Sequence, residues 1–335
     1  MQKPEIVLRA DAGSATGFGH IVRTCALASY LRDDFRCMVA CRNDADGTDK
    51  FVDGLISDAG AERIRIAASD DFDRAFLAHL SPERIAVLDN YYYGTDYQRE
   101  VRERSRALVS VDDVADRHFV SDVFFTPSPL SRSDFSLEPY TLFRGGVEWA
   151  FLREPFLTPA PRRSATKVRR AIIAMGGADP FRLTDMIIGI LTEIDRAIRI
   201  DVIAGPAAAV SAAESDTLRI IRRAGAAEIA ATFDAADIGI FPASTICVEA
   251  MSRKLPVAAG WYADNQLPFY RRGVEEGWFT PLGDLRRGRG CIAPVLADVA
   301  AGYGRCASPD FDFIARRNDI IKIFKDLWQK KLQDA

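Results

Sequence analysis

The chain has 335 residues, 48% of them hydrophobic and 27% charged, with 44 basic against 47 acidic side chains and a formal net charge of -3. That balance is ordinary for a globular protein long enough to fill two cores, and it gives no general electrostatic pull toward nucleic acid or an anionic membrane. The six cysteines, Cys25, Cys37, Cys41, Cys247, Cys291 and Cys306, are scattered without a CxxC pair, so they read as reduced thiols and not as a disulfide frame or zinc site.

The start of the chain enters an apolar run, residues 6–8, with Arg9 where a leader would need an uninterrupted apolar core. No stretch approaches membrane-spanning length, so the expectation is a cytoplasmic protein without membrane insertion, working as a monomer. The run reads as a buried strand, and residues 25–31 read as an amphipathic helix. Between them lies Gly13-x-x-x-Gly17-x-Gly19-His20, a strand-to-helix turn that delivers one of only three histidines to a helix start. The spacing differs from the dinucleotide fingerprint GxGxxG, and Arg42-Asn43 stands where that fingerprint expects an acid, so an NAD-dependent oxidoreductase is the weaker reading. An isolated histidine is more often a capping or packing residue. The glycines beside His20 reverse that preference, because they clear side chains from around an imidazole suited to accept a proton near neutral pH.

Short apolar runs at 37–40, 64–66, 85–88, 108–111 and 123–125 alternate with helix patterns at 49–59, 71–79 and 96–105, the signature of a parallel sheet covered by helices. Val87-Leu88-Asp89-Asn90-Tyr91 ends one of these strands and Val111-Asp112-Asp113 the next. The paired acids lack a third ligand at useful spacing, so turn formation or capping is preferred to a metal. The basic, proline-rich stretch 156–170 reads as a linker.

A second strand series follows at 171–175, 199–204, 238–241 and 257–260. Its first strand runs into Gly176-Gly177-Ala178-Asp179-Pro180, with a helix expected from Pro180 or just after; close phosphate approach and Asp179 as a simple cap weigh about equally there. Pro242-Ala243-Ser244-Thr245 is again strand, small polar pair and helix, able to hold phosphate oxygens. Glu249 lies one helical turn beyond Thr245, placed for ribose hydroxyls or, in the plainer reading, a solvent-exposed helix glutamate. Asn265-Gln266 follows the last of these strands and offers neutral donors and acceptors to a sugar or base. The last helix, 312–329, carries a broad apolar face that must pack on another element.

These elements, in this order, resemble the UDP-2,4-diacetamido-2,4,6-trideoxy-β-L-altropyranose hydrolases of pseudaminic acid biosynthesis. The resemblance rests on Arg9-x-Asp11, Gly17-Phe18-Gly19-His20-Ile21-x-Arg23, Asp89-x-Tyr91, Asp112-Asp113, Leu152-Arg153-Glu154-x-Phe156, Met175-Gly176-Gly177-x-Asp179, Ser244-x-x-x-x-Glu249-Ala250 and Asn265-Gln266. GT-B glycosyltransferases share the frame more loosely. The resemblance implies an α/β protein of the GT-B type, with two Rossmann-like domains facing across a cleft and the C-terminal helix crossing back to the first. The corresponding boundaries are 1–155, a linker 156–170, a UDP-binding domain 171–310 and a helix 311–335.

The same resemblance implies metal-independent, inverting hydrolysis of a UDP-sugar without a cofactor, feeding surface-glycan synthesis. His20 would activate water, with Tyr91 and Asn265 at the sugar. Asp11, Gly17, Gly19, Gly176, Gly177, Asp179, Ser244, Thr245, Glu249 and Gln266 would bind substrate. A glycosyltransferase using the same donor and a non-catalytic nucleotide-sugar-binding module are the competing readings.

Overall fold

Ile6, Val7 and Leu8 are wholly buried, as a parallel strand covered on both faces requires. They form the centre of β1 (Glu5–Ala10), followed by α1 (Gly19–Leu31), β2 (Arg36–Arg42), α2 (Asp49–Asp58), β3 (Glu62–Ile66), α3 (Phe72–Leu77) and β4 (Arg84–Asp89). Next come α4 (Thr95–Arg104), β5 (Ala107–Val111), β6 (His118–Phe119), β7 (Val123–Thr126), β8 (Ser136–Leu137) and β9 (Leu142–Gly145). The computed structural model describes residues 3–12, 17–42, 49–67, 71–160, 167–205, 207–222, 224–302 and 309–333, with side chains to 329. Gly13, Asn43, Cys306 and residues 161–166 of the expected linker lie outside the described residues.

Two units make up the chain: residues 1–153 with 312–335, and residues 154–311. In the first, seven parallel strands run in the order β3-β2-β1-β4-β5-β7-β9, while β6 and β8 pair separately. Helices cover the sheet, and Val7, Ala86, Leu88, Phe76 and Val101 belong to one packed cluster on it. The chain leaves β1 toward β2 and β3, then returns to β4 on the other side. Such a reversal opens a crevice at the carboxyl ends of the two central strands.

The second unit repeats the scheme with β10 (Arg170–Ile173), α5 (Leu183–Ile194), β11 (Arg199–Ala204), β12 (Leu218–Arg222), α6 (Ala226–Ala235) and β13 (Ile238–Pro242). It continues through α7 (Thr245–Ser252), β14 (Val257–Trp261), α8 (Leu267–Glu275), β15 (Thr280–Asp284) and α9 (Arg289–Ala301). Its parallel order is β12-β11-β10-β13-β14-β15, so the reversal falls between β10 and β13. The sequence reading did not include β12, β15 or β9. In β15 the cause is Pro281 and Gly283, which read as turn residues but are tolerated because this strand is an edge and its register slips opposite Ala259 and Gly260.

The last helix, α10 (Phe313–Gln333), belongs to the first unit. Phe324 and Ile320 are buried, Lys325 pairs with Asp34 at 2.8 Å, and the Trp328 carbonyl accepts from Arg106 Nε at 2.9 Å. Burying side chains of this size contributes roughly 1.5–3 kcal/mol each, which fixes the helix far more firmly than its exposed charges. Among the described residues no helix is long and apolar enough to cross a membrane.

Candidate functional site

His20 is the second residue of α1 and only 6% exposed. Its Nδ1 lies 2.7 Å from Asp89 Oδ1, at the end of β4, the strand adjacent to β1 at the reversal. A carboxylate can only accept, so Nδ1 carries the proton and donates to Asp89. In the neutral ring Nε2 is thereby left with its lone pair. The Arg23 guanidinium also stands 3.1 Å from Nδ1, but two donors cannot bond each other; its nitrogens instead serve Asp89 at 2.6 and 2.9 Å.

Asp89 further accepts from Thr24 Oγ1 at 2.8 Å. Burial would raise this carboxyl, yet the Arg23 charge and the His20 contact outweigh it and hold Asp89 below the ordinary carboxylate range. Arg23 reaches on to Asp113 Oδ2 at 2.8 Å, which also accepts from the Tyr91 hydroxyl at 2.9 Å. The Tyr91 ring meets the His20 ring edge-on, with centroids 4.5 Å apart. Burial, with Asp113 beside it, pushes the Tyr91 phenol up, so Tyr91 remains a neutral donor. The result is a connected set in which Asp89, Arg23, Asp113 and Tyr91 each bond another member around the imidazole.

Gly17 takes φ +73°, a left-handed conformation that costs glycine little. Gly19 begins α1 and a side chain there would meet open space. The first turn of α1 contains no acidic residue, so its amides face outward uncompensated among the described residues. Asp11, by contrast, is 1% exposed and fully engaged: Arg9, Arg42 and Tyr92 all donate to it. Burial opposes its charge, but Arg9 and Tyr92 keep its carboxyl below the usual value. Arg42 in turn sits over the Phe72 ring at 4.6 Å.

In the second unit the helix after Gly176-Gly177 begins at Leu183, later than the sequence suggests. Asp179 (φ 44°) and Arg182 (φ 52°) both adopt left-handed backbone, which holds the intervening residues out of the helix. Asp179 is the anion at that helix start, accepting from the Leu183 and Thr184 amides at 2.8 and 2.9 Å. The start of α7 differs. Thr245 and Ile246 have no partner for their amides among the described residues, and no acid lies in the first turn. Ser244 bonds only weakly, to the Pro242 carbonyl at 3.4 Å. The beginning of α7 thus keeps its positive dipole end for an external anion, whereas α5 does not.

Glu249 is buried at 4% exposure, not on solvent as the plainer reading of the sequence had it. Gln266 Oε1 accepts from the Tyr262 amide at 2.9 Å and so closes the loop after β14, while Asn265 beside it is exposed. The Tyr262 hydroxyl donates to the Met175 carbonyl at 3.1 Å, tying that loop to the Gly176-Gly177 turn. Gly205 packs directly against the same turn: a Cβ there would stand 2.4 Å from the Gly176 carbonyl oxygen. Gly205→Ala is therefore expected to cost about 1–3 kcal/mol by overpacking; an unchanged thermal midpoint would show that the turn yields freely.

Sequence reasoning singled out His20 but gave no role to its partners Asp89, Arg23 and Thr24. The signal available was the acid at the end of the strand that the reversal places beside β1. Among the described residues no group of three or more His, Cys, Asp or Glu side chains is arranged to hold a metal ion.

Two parallel sheets, each with its loop motifs at a strand-order reversal, match solved structures along almost the whole chain. The UDP-GlcNAc 2-epimerase of Neisseria meningitidis bound to UDP-GlcNAc superposes with a TM-score of 0.62 at 9% identity, covering 96% of this chain and 100% of that one. HepE of Anabaena in complex with UDP and glucose gives 0.58 at 12%, covering 96% and 99%. CalG4, the calicheamicin glycosyltransferase, gives 0.56 at 12%, covering 98% and 96%.

The fold is GT-B.

No family model matches this GT-B chain. In sequence it is similar to the UDP-2,4-diacetamido-2,4,6-trideoxy-β-L-altropyranose hydrolase of Campylobacter jejuni, 26% identical over 179 residues, which is 52% of this chain and 61% of that protein. It is equally similar, at 26% over 215 residues, to the uncharacterised protein MJ1062 of Methanocaldococcus jannaschii, covering 60% of this chain and 43% of the other. The chain thus spans less than two thirds of either relative.

Proposed function

We propose that this GT-B chain is a nucleotide-sugar hydrolase that splits the C1–O bond of a UDP-diacetamido-trideoxyhexose, releasing UDP and free sugar. The observation that carries the proposal is the buried His20–Asp89 pair at 2.7 Å beside the carboxyl ends of β1 and β4, which in the neutral ring leaves Nε2 as the base. Nε2 takes a proton from water as its oxygen attacks C1; the C1–O bond breaks and UDP leaves with the electron pair. The imidazolium so formed is paired with the Asp89 carboxylate, and the neighbouring Arg23 charge is shared with Asp113, so the developing positive charge is stabilised where it appears.

The open amides at α7, with Ser244 and Thr245, hold the diphosphate, and Glu249 contributes to the ribose side. Gly176 and Gly177 let the backbone come close; the proposed sugar-binding residue of the second unit is Asn265, and that of the first is Tyr91 beside His20. Asp11, Asp179 and Gln266 act through the protein by fixing the loops that carry these groups. Helix amides that neutralise the leaving diphosphate supply the charge stabilisation a good leaving group needs.

The likeness to glycosyltransferase folds makes transfer to an acceptor the second reading. Incubation with a panel of UDP-diamino-trideoxy sugars, following UDP and free sugar together, separates the two. Hydrolysis yields both products in equal amounts with water alone; UDP release that depends on an added acceptor would assign transfer, and isomerised UDP-sugar without UDP release would assign epimerisation.

A further inference from the structure

Behind the His20 pair, a cavity of about 10 Å³ accessible to the centre of a water molecule is lined by Asn90, Ser110 and Asp112 with apolar neighbours. A space of roughly 10–15 Å³ on this measure holds one water, provided two to four polar groups receive it. Those groups are present. Among the described residues Asn90 Nδ2, Ser110 Oγ and the Tyr93 hydroxyl are buried without a protein partner, and Asp112 Oδ1 accepts from the Val114 amide at 2.7 Å. Gln98, also on the lining, is already satisfied by the Tyr93 carbonyl and the Val120 amide. Three orphaned buried groups and a carboxyl with acceptor capacity to spare around one small space are costly unless a shared water joins some of them.

The residues involved sit where they can aim the reacting groups. Asn90 lies between Asp89 and Tyr91, and its Oδ1 accepts from the Tyr91 amide at 2.9 Å. Asp112 closes the turn that presents Asp113 to Arg23 and Tyr91. We propose that Asp112 is a positioning residue of this site, sharing one buried water with Asn90 and Ser110 and thereby locking the Asp89–Tyr91 loop to the Asp113 loop. The inference rests on the hydrolase reading for its effect on rate, but not for its structural content.

The electrostatics agree with that geometry. Burial pushes the Asp112 carboxyl up to about 7, against the Val114 amide, with Asp113 adding to the rise while Arg23 and Arg117 oppose it; Tyr93 is the other titratable group on the cavity wall. The folded-state value is raised above the unfolded one, so this group's contribution to stability is intact below about pH 4 and drains away as pH rises toward 7. Asp112→Asn keeps the shape and the donor while removing the ionisation.

The thermal midpoint of D112N should exceed that of the wild type by a gap that opens between pH 4 and 7 and stays constant above. In UDP release, wild-type turnover should fall about tenfold per pH unit above 7 relative to D112N. Parallel midpoint curves, or superimposed rate profiles, would overturn the proposal. A crystal structure of the wild type at high resolution provides a check that needs no variant: an ordered water bonded to Asp112, Asn90 and Ser110 is expected, and a dry cavity refutes it. If the wild type releases UDP from no sugar in the panel, the hydrolase reading fails, while the midpoint curves and the water still decide the role of Asp112.

Discussion

His20→Ala should abolish turnover while UDP still binds. Loss of a general base costs about 10²–10⁴-fold in rate, and the α7 amides proposed to hold the phosphates belong to a different unit of the chain from α1. The structure gives this expectation a sharper form than a histidine in a glycine loop would. Nδ1 is committed to Asp89, so the lost function is that of Nε2 alone, and His20→Gln, which keeps a polar group without a base, should be as inactive as alanine. Asp89→Asn tests the tautomer. An amide can turn its NH2 toward Nδ1, which draws the proton to Nε2 and removes the base without removing the ring. Single-turnover UDP release paired with calorimetric UDP binding separates the two effects. Equal turnover in wild type and H20A would remove His20 from the mechanism, and loss of UDP binding in H20A would show that the glycine loop contributes to holding the nucleotide.

What the sequence disclosed of this arrangement followed the range of the interactions involved. The α/β alternation was legible because each buried strand is a local run, and Ile6, Val7 and Leu8 need no partner to be recognised. His20 was legible because its glycines are adjacent to it. Its partner was not, since the His20–Asp89 bond joins residues 69 apart and depends on β1 lying beside β4, which periodicity does not encode. Asp179 shows the converse. The sequence weighed it as either cap or ligand contact, and the carboxylate reaches past the expected helix start at Pro180 to cap Leu183 and Thr184. Two left-handed residues that are not glycine produced that delay, and no local signal announces them. β15 was missed for a similar reason: its proline and glycine read as a turn until its position at the sheet edge is known.

Arg23→Met should unfold the first unit or bring it close to unfolding. The guanidinium spans Asp89 and Asp113, is itself buried, and supplies the positive charge for both in this cluster. Breaking a buried ion pair by removing one partner typically costs about 3–5 kcal/mol, because the remaining charge stays desolvated; against a whole-domain stability of about 5–15 kcal/mol that loss is decisive. Methionine preserves the length of the stem, so a cavity contributes little and the effect isolates the charge. The pH dependence identifies the cause. In the wild type Asp89 is held below its ordinary value, so its contribution is present at neutral pH and is lost as pH falls through the lowered folded-state value. In R23M only the His20 and Thr24 contacts are left to oppose burial, so Asp89 takes up a proton more readily and the deficit relative to wild type should shrink as pH falls toward 4. Urea unfolding at pH 7 and pH 4.5 measures it. A deficit that is the same at both pH values would mean that Arg23 contributes packing and not charge, and the electrostatic account of how the His20 site is held together would have to be abandoned.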